Sequence, residues 1–342
     1  MEMIENVPLA QYSTMKLGGQ AAYFIEAKDQ LTLTEAAANA KTYNIPIKVI
    51  GGGSNIIWSD EGFPGLVILN RIEGFKVASQ DDFGTYITIG AGERWDSVVE
   101  RCVNMGLSGI ECLSMIPGTA GATPIQNVGA YGQDISQTLV TVTAYDLEEA
   151  KIVTLPAADC KFAYRSSIFK TSAKDRYLIT AITLLLSKNS PMPPFYPAVS
   201  HYLEEHLITD YTPSALRNAV CDIRRLKLPD PSVTPNCGSF FANPVVDLNK
   251  LSEFQERYKD IPHWHIDEKQ EKLSAAWLID QAGFSNYYDE ETGIATWPNQ
   301  SLIFTNRSAK TTADLIKFAN KIKSKVAQDF GIELIQEPEL IT

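Results

Sequence analysis

Ile116-Pro117-Gly118-Thr119-Ala120-Gly121-Ala122-Thr123-Pro124-Ile125-Gln126-Asn127-Val128-Gly129-Ala130-Tyr131-Gly132 is the stretch from which the rest of the chain can be read. Its seventeen residues include four glycines, two prolines, three alanines and no charge. A regular helix is excluded, because Gly and Pro both oppose it. The run is also too apolar for a disordered linker. Glycine permits positive φ and removes the Cβ that would keep a ligand off the backbone. Successive N–H groups in such turns form concavities that bind anions. One Gly-rich turn is most simply a tight surface loop. A run this long, with Gln126 and Asn127 embedded, reads as a cradle for a large cofactor.

A second cradle lies upstream. Asn44 to Ile50 reads as a short buried strand, followed by Gly51-Gly52-Gly53-Ser54-Asn55 and a new apolar run, Ile56-Ile57-Trp58. Strand, glycine loop and apolar run make the layout of a phosphate loop, yet the spacing is neither G-x-G-x-x-G nor G-x-x-x-x-G-K-[ST]. Two glycine loops in one half of a chain suggest a ligand with a pyrophosphate and a long body.

The chain has 342 residues, which exceeds one ordinary core and predicts two or three domains. Its 44% apolar and 21% charged residues are those of a soluble globular protein. The net charge of −11 argues against general binding to nucleic acid or anionic membranes. Met1 to Gln11 lacks the basic and apolar regions of a signal peptide. No apolar run reaches membrane-spanning length. The five cysteines are scattered with no C-x-x-C, which fits reduced thiols in the cytoplasm. No metal site is expected. His201 and His206 are five apart, His263 and His265 would share a face only on a strand, and nothing completes a ligand set. A monomer is expected.

Helices are predicted from Asp29 to Tyr43, around Trp95, Val98, Val99 and Cys102, and after Thr212, which can cap with Pro213 at the first position. Further helices are predicted over Asp247–Tyr258, over Lys272–Gln281 closed by Gly283, and after Thr312 as cap, closed near Gly331. Strands are predicted at Val67–Leu69, Thr85–Ile89, Thr138–Tyr145, Lys151–Leu155, Tyr177–Leu186, Ser301–Thr305 and Ile332–Ile335. Ser187 to Pro197 reads as a proline-rich connection. Arg224, Arg225 and Lys227 close the Pro213 helix. They serve either the helix macrodipole or a phosphate-bearing substrate.

Three residues are candidates for chemistry. Arg165 lies in a polar cluster bracketed by aromatics and can hold a carboxylate bidentately or form a structural ion pair. Ser239 sits in a turn between Gly238 and Phe240, where most serines only bond backbone. Glu337 ends the last expected strand, and most such glutamates are solvated.

Together these motifs resemble the MurB family of bacterial UDP-N-acetylenolpyruvoylglucosamine reductases, over nearly the whole chain. The resemblance is carried by Ser13-Thr14, Gly51–Asn55, Gly106-Leu107-Ser108-Gly109-Ile110-Glu111, the Ile116–Gly132 run and Tyr164-Arg165-Ser166-Ser167-Ile168-Phe169-Lys170. It continues through Lys227-Leu228-Pro229-Asp230-Pro231, Gly238 to Pro244, Ala276-Trp277-Leu278-Ile279-Asp280 and Glu337-Pro338-Glu339.

The resemblance implies an α+β protein: a two-subdomain FAD-binding fold of the vanillyl-alcohol-oxidase (PCMH) type plus an α+β substrate-binding domain. Residues 1–70 and 71–224 would form the FAD-binding subdomains and 225–330 the substrate domain, with 331–342 returning to the active site. It implies non-covalent FAD held by Gly51, Gly52, Gly53, Ser54, Asn55, Ile116, Pro117, Gly118, Gly121, Ala122, Pro124, Ile125, Gln126, Asn127, Gly129, Ala130 and Tyr131. NADPH, as co-substrate, would pass a hydride to flavin N5 and thence to C3 of the enolpyruvyl group of UDP-N-acetylglucosamine enolpyruvate, giving UDP-N-acetylmuramate for peptidoglycan. Ser239 would protonate C2, a weak acid matched to a carbanion-like partner. Arg165 and Glu337 would polarise the substrate carboxylate, with Glu337 either protonated or donating through a shared proton. Tyr164, Tyr196, Arg224, Lys227, Asn243 and Gln300 would contact the UDP-sugar. Tyr196-Pro197-Ala198-Val199 stands where Tyr-Gly-Asp-Leu is common in the longer, type I enzymes, and Trp297 is a further departure.

Two rival readings compete with this one. An FAD oxidase or dehydrogenase of the same fold often tethers flavin through a His in the first glycine loop, and Gly51 to Asn55 has none. A non-catalytic flavin or nucleotide binder would have no need of Ser239, Arg165 and Glu337 together.

Overall fold

The computed structural model describes residues 3–342, which form two compact units. Of the Met1–Gln11 segment, the first two residues lie outside the described residues, and Ile4–Pro8 is a strand.

The first unit comprises the chain up to Val7, Ala21–Gly52 and Pro64–Leu226. A four-stranded sheet runs in the order Ile4–Pro8, Gln20–Ala27, Phe63–Asn70, Ile47–Ile50. Its last pair is parallel, so the chain must cross over between them, which leaves Gly51–Asn55 at the carboxyl end of a strand. Helix α1 (Gln30–Thr42) is capped by Asp29, whose carboxylate accepts from Thr32 N at 2.7 Å. It buries Leu33, Ala36, Ala37 and Ala40 against Leu66 and Ile68. A second, wholly antiparallel sheet has the order Lys151–Pro156, Leu139–Asp146, Tyr177–Leu186, Thr85–Gly90, Phe75–Gln80. Helix α2 (Trp95–Asn104) buries Trp95, Val98, Val99 and Cys102 in the same core as Ile87, Ile89 and Ile182. Helices α3 (Pro197–Glu205) and α4 (Pro213–Lys227) pack through Val199, Leu203, Leu216, Ala219 and Val220. The connection expected over Ser187–Pro197 thus ends one residue earlier. Pro197 opens α3, because a proline at the first turn has no N–H to leave unsatisfied.

The second unit comprises Pro8–Gln20, Gly53–Phe63 and Lys227–Thr342. A four-stranded sheet runs Asn236–Ser239, Gln300–Asn306, Ile294–Trp297, Tyr288–Asp289. A three-stranded sheet places Gln270–Leu273 between Val245–Asp247 and His263–Asp267. Helices α5 (Leu248–Arg257), α6 (Ala275–Ile279) and α7 (Thr312–Phe330) complete it. Helix α7 lays Leu315, Phe318, Ala319, Ile322 and Val326 into the core.

Three sequence expectations are corrected here. The helix expected from Lys272 starts at Ala275, because Lys272 pairs on both sides in the sheet, Leu273 pairs with His263, and Ser274 caps the helix through Trp277 N at 3.2 Å. The cap of α7 is Thr311, in a capping box with Asp314; the Thr312 hydroxyl donates instead to Trp58 O at 2.7 Å. Ile332–Ile335 is irregular, with Ile335 68% exposed. The terminal strand is Glu339–Ile341, parallel to Ile56–Trp58. Glu337 therefore precedes a strand instead of ending one.

Phe304 anchors the second unit. It is fully buried, stacked on Phe240 at 4.6 Å and edge-on to Phe318 at 5.0 Å. Phe304→Ala is expected to cost about 3–5 kcal/mol, seen as a lower denaturant midpoint. A loss under about 1 kcal/mol would show that this cluster closes over the gap.

Candidate active site

The first unit brings the two glycine loops face to face. A Cβ added to Gly51 would lie 2.2 Å from Thr119 Oγ1, and one on Gly52 would lie 2.9 Å from Gly118 Cα. A Cβ on Gly121 would lie 2.5 Å from Ala91 Cβ. The first need for glycine here is thus loop-on-loop contact. Sequence alone suggested only approach to a ligand. Several backbone donors from Ala120 onward are satisfied internally: Ala120 N by Glu93 O, Gly121 N by Ala91 O and Val128 N by Thr123 O, all at 2.9–3.0 Å. Among the described residues, Gly52 and Gly118 donate their N–H groups to no protein acceptor. Gly52 is exposed and Gly118 half-buried, so both N–H groups are open to a ligand. Two such donors meeting between glycine loops fit the anionic centre of a dinucleotide.

The cradle is tied to the Arg165 segment. Asn127 adopts φ +48°, accepts from Ser136 N at 3.1 Å and donates to Ala163 O at 3.3 Å. Ser167 Oγ donates to Ile125 O at 2.6 Å, and Lys170 Nζ donates to Gln126 Oε1 at 3.4 Å. Ala163 and Ser166 exchange both backbone hydrogen bonds at 3.1 Å, closing a two-residue turn with Tyr164 and Arg165 at its tip. Arg165 sits at φ +52° with its guanidinium 5.4 Å from the Tyr164 ring centroid. A non-glycine residue held left-handed beside a cradle is the kind of local strain found at functional sites.

Gly129–Ala130 and Gln133–Asp134 pair as a hairpin with Tyr131 at its tip. Tyr131 packs edge-on against Tyr196 at 5.6 Å and lies beside Arg224. Burial pushes the Tyr131 phenol up and the Arg224 guanidinium down from their ordinary values, and each group moderates the other's shift. Arg224 also donates to Met115 O at 3.2 Å, so it is more than a macrodipole residue. Arg225 has the bland role, pairing with Asp222 at 2.8 Å.

In the second unit Ser239 and Glu337 are neighbours. Asn236 pairs with Thr305 and Ser239 with Ile303, with a register shift between them that makes a bulge. Gly238 at φ +76° makes that bend. Phe240 N then donates to Leu302 O at 2.7 Å, and Phe240 O accepts from Glu337 N at 2.9 Å. The charge of Glu337 adds to burial in pushing the neighbouring Cys237 thiol up to about 12. The turn expected around Ser239 is thus a bulged strand end. Gly53 belongs to this unit, where a Cβ would lie 2.0 Å from Tyr12 O. Asn55 O accepts from Glu339 N at 3.0 Å.

Asn243 Oδ1 accepts from Ala275 N at 3.0 Å and so caps α6, leaving its amide donors for a ligand. Gln300 opens its strand opposite Trp297, and Lys227 ends α4 exposed. Trp297 Nε1 donates to Lys227 O at 3.1 Å, which accounts for that tryptophan. His263 and His265 do share a strand, and His265 pairs with Glu271. Among the described residues no cluster of three metal-ligating side chains occurs, and no helix is long and apolar enough to cross a membrane.

Residues 230–341 match the family profile "UDP-N-acetylenolpyruvoylglucosamine reductase, C-terminal domain", and residues 21–155 match "FAD binding domain". The UDP-N-acetylenolpyruvoylglucosamine reductase of Thermobifida fusca is 41% identical, covering 98% of this chain and 97% of its own. That of Amoebophilus asiaticus is 36% identical over 99% of both. The crystal structure of the reductase from Thermus caldophilus superposes with a TM-score of 0.68 at 21% identity over the whole of both chains, a likeness of fold. The fold is accordingly α+β, the FAD-binding fold of the vanillyl-alcohol-oxidase (PCMH) type with a further α+β domain.

Proposed function

Because the chain belongs to the UDP-N-acetylenolpyruvoylglucosamine reductase family, we propose that it reduces the enolpyruvyl ether of UDP-N-acetylglucosamine to UDP-N-acetylmuramate, a peptidoglycan precursor, using FAD and NADPH. One contact carries the residue assignment: Glu337 N donates to the carbonyl of Phe240, so the backbone that carries Glu337 runs beside the bulged strand end that carries Ser239.

Gly51 to Asn55 and Ile116 to Tyr131 hold the cofactor, with Gly52 and Gly118 N–H groups on its diphosphate. Bound there, FAD supplies the two-electron relay between NADPH and the substrate double bond. Ser239 donates its hydroxyl proton to C2 of the enolpyruvyl group as C3 is reduced. Arg165 lies against the substrate carboxylate, where negative charge grows as the enolate forms. Glu337 completes the polarising pair. The strained, cradle-tethered turn at Arg165 supports this role, since a fixed guanidinium costs no reorganisation during reaction. Tyr164, Tyr196, Arg224, Lys227, Asn243 and Gln300 contact the UDP-sugar. In this reading residues 1–70 and 71–224 are the FAD-binding subdomains, 225–330 binds substrate and 331–342 returns to the active site. The enzyme acts as a cytoplasmic monomer; five buried free thiols suit a reducing compartment.

The test is the flavin absorbance band under anaerobic conditions. One equivalent of NADPH should bleach it, and UDP-N-acetylglucosamine enolpyruvate should then restore it. Bleaching without recovery would replace the acceptor. A purified protein that takes up no flavin would remove the cofactor reading itself.

A further inference from the structure

Met115, the residue before the cradle, has φ +55°, a backbone conformation that a side chain with a Cβ keeps only when its surroundings impose it. Both sides of Met115 are gripped. Its N–H donates to Asp96 Oδ1 at 2.6 Å, and its carbonyl accepts from Arg224 Nη2 at 3.2 Å. Asp96 is in turn held bidentately by Arg217, with Nη1 on Oδ1 at 2.7 Å and Nη2 on Oδ2 at 3.2 Å. Arg217 Nη1 also donates to the Oγ of fully buried Ser114 at 2.8 Å. Burial would raise the Asp96 carboxyl, but Arg217 and the Met115 N–H hold it below its ordinary value.

The same helix end grips the chain on either side of Met115. Trp95 Nε1 donates to Leu113 O, and Trp95 N donates to Gly118 O, both at 3.1 Å. The first turn of α2 therefore fixes residues 113, 115 and 118 together. Gly118 is the glycine that faces Gly52. Arg217 and Arg224 lie two turns apart on one face of α4, so one helix braces both the Asp96 carboxylate and the Met115 carbonyl.

We propose that Asp96 and Arg217 are a positioning pair for the cofactor. They hold Met115 left-handed, and that conformation sets the Gly118 amide for the FAD diphosphate. The inference rests on the FAD reading of the two glycine loops. No other group shown at this point does the work of the carboxylate on the Met115 N–H.

Rescue by glycine tests it. Asp96→Ala removes the grip, so Met115 relaxes and FAD affinity of the apoprotein should fall roughly tenfold or more. Met115→Gly in that background makes the left-handed conformation free of Cβ strain. FAD affinity should then return to within about threefold of the wild type, while the melting temperature, lowered by loss of the Asp96 partner from half-buried Arg217, stays low. Titration of flavin fluorescence gives the first quantity and apoprotein melting the second. A merely structural ion pair would move both together and would not be rescued by glycine. FAD binding within twofold of wild type in Asp96→Ala, or no rescue in the double variant, overturns the proposal. Should Asp96→Ala fail to fold, Arg217→Met gives the same contrast, with the same rescue expected and the same failure counting against it. Wild-type protein that binds no FAD would overturn this proposal and the cofactor reading together.

Discussion

Ser239→Ala is expected to retain FAD and still bleach with NADPH, but to turn over the enolpyruvyl sugar about a thousandfold more slowly, within the range for loss of a positioned general acid. The bulge at Gly238 and the pairing of Ser239 with Ile303 fix where the hydroxyl starts. Alanine keeps both, because neither depends on the side chain. The strand should therefore survive the substitution, and the loss should fall on the second half-reaction alone. Rapid-mixing measurement of flavin reduction and reoxidation separates the two. Reoxidation by substrate within tenfold of the wild-type rate would remove Ser239 from the mechanism. A slowed reduction by NADPH would mean that the change had disturbed the cofactor site, and the assignment would fail for a different reason.

Gly52→Ala strikes the cradle itself. Its Cβ would lie 2.9 Å from Gly118 Cα, a backbone atom with no rotamer to yield. The two loops must separate, and their paired N–H donors with them. Overpacking of this kind costs about 1–3 kcal/mol. Taken from cofactor binding, that is a roughly fivefold to hundredfold loss of FAD affinity. Gly106→Ala is the useful contrast, since Gly106 has φ +72° but nothing within 4 Å of an added Cβ. It should lower the melting temperature and leave FAD affinity alone. Equal affinity for FAD in both variants would show that the Gly52–Gly118 contact is not what shapes the site.

Much of this molecule is written locally. The run from Ile116 to Gly132 excludes helix by composition, and the structure gives it only short turns and a two-residue hairpin. Thr212 accepts from Ala215 N at 3.1 Å ahead of Pro213, so cap and first helical position were legible in two residues. The alternating strands of the antiparallel sheet were equally visible, because one face of each is buried. The roles expected of Ser239, Arg165 and Glu337 came from the resemblance to the MurB family, since none of the three stands out by its local sequence alone.

What lay beyond the sequence is whatever needs a distant partner. Ile332–Ile335 has the composition of a strand but forms no ladder, meeting another backbone at its end where Ala242 N donates to Ile335 O at 2.9 Å, whereas Glu339–Ile341 finds Ile56–Trp58 from the other end of the chain. A strand exists only where another backbone satisfies its N–H and C=O groups. Asp96 reads as an ordinary acid in a helix's first turn, and its binding to Arg217 and Met115 shows in no motif. Trp297 looked anomalous until the Lys227 carbonyl was seen beneath its indole N–H. The glycines read in the sequence as places where a ligand approaches the backbone, whereas in the folded loops protein stands against them: Gly51 meets Thr119, Gly52 meets Gly118 and Gly53 meets Tyr12. Composition determines what a backbone can do, and only packing determines what stands against it.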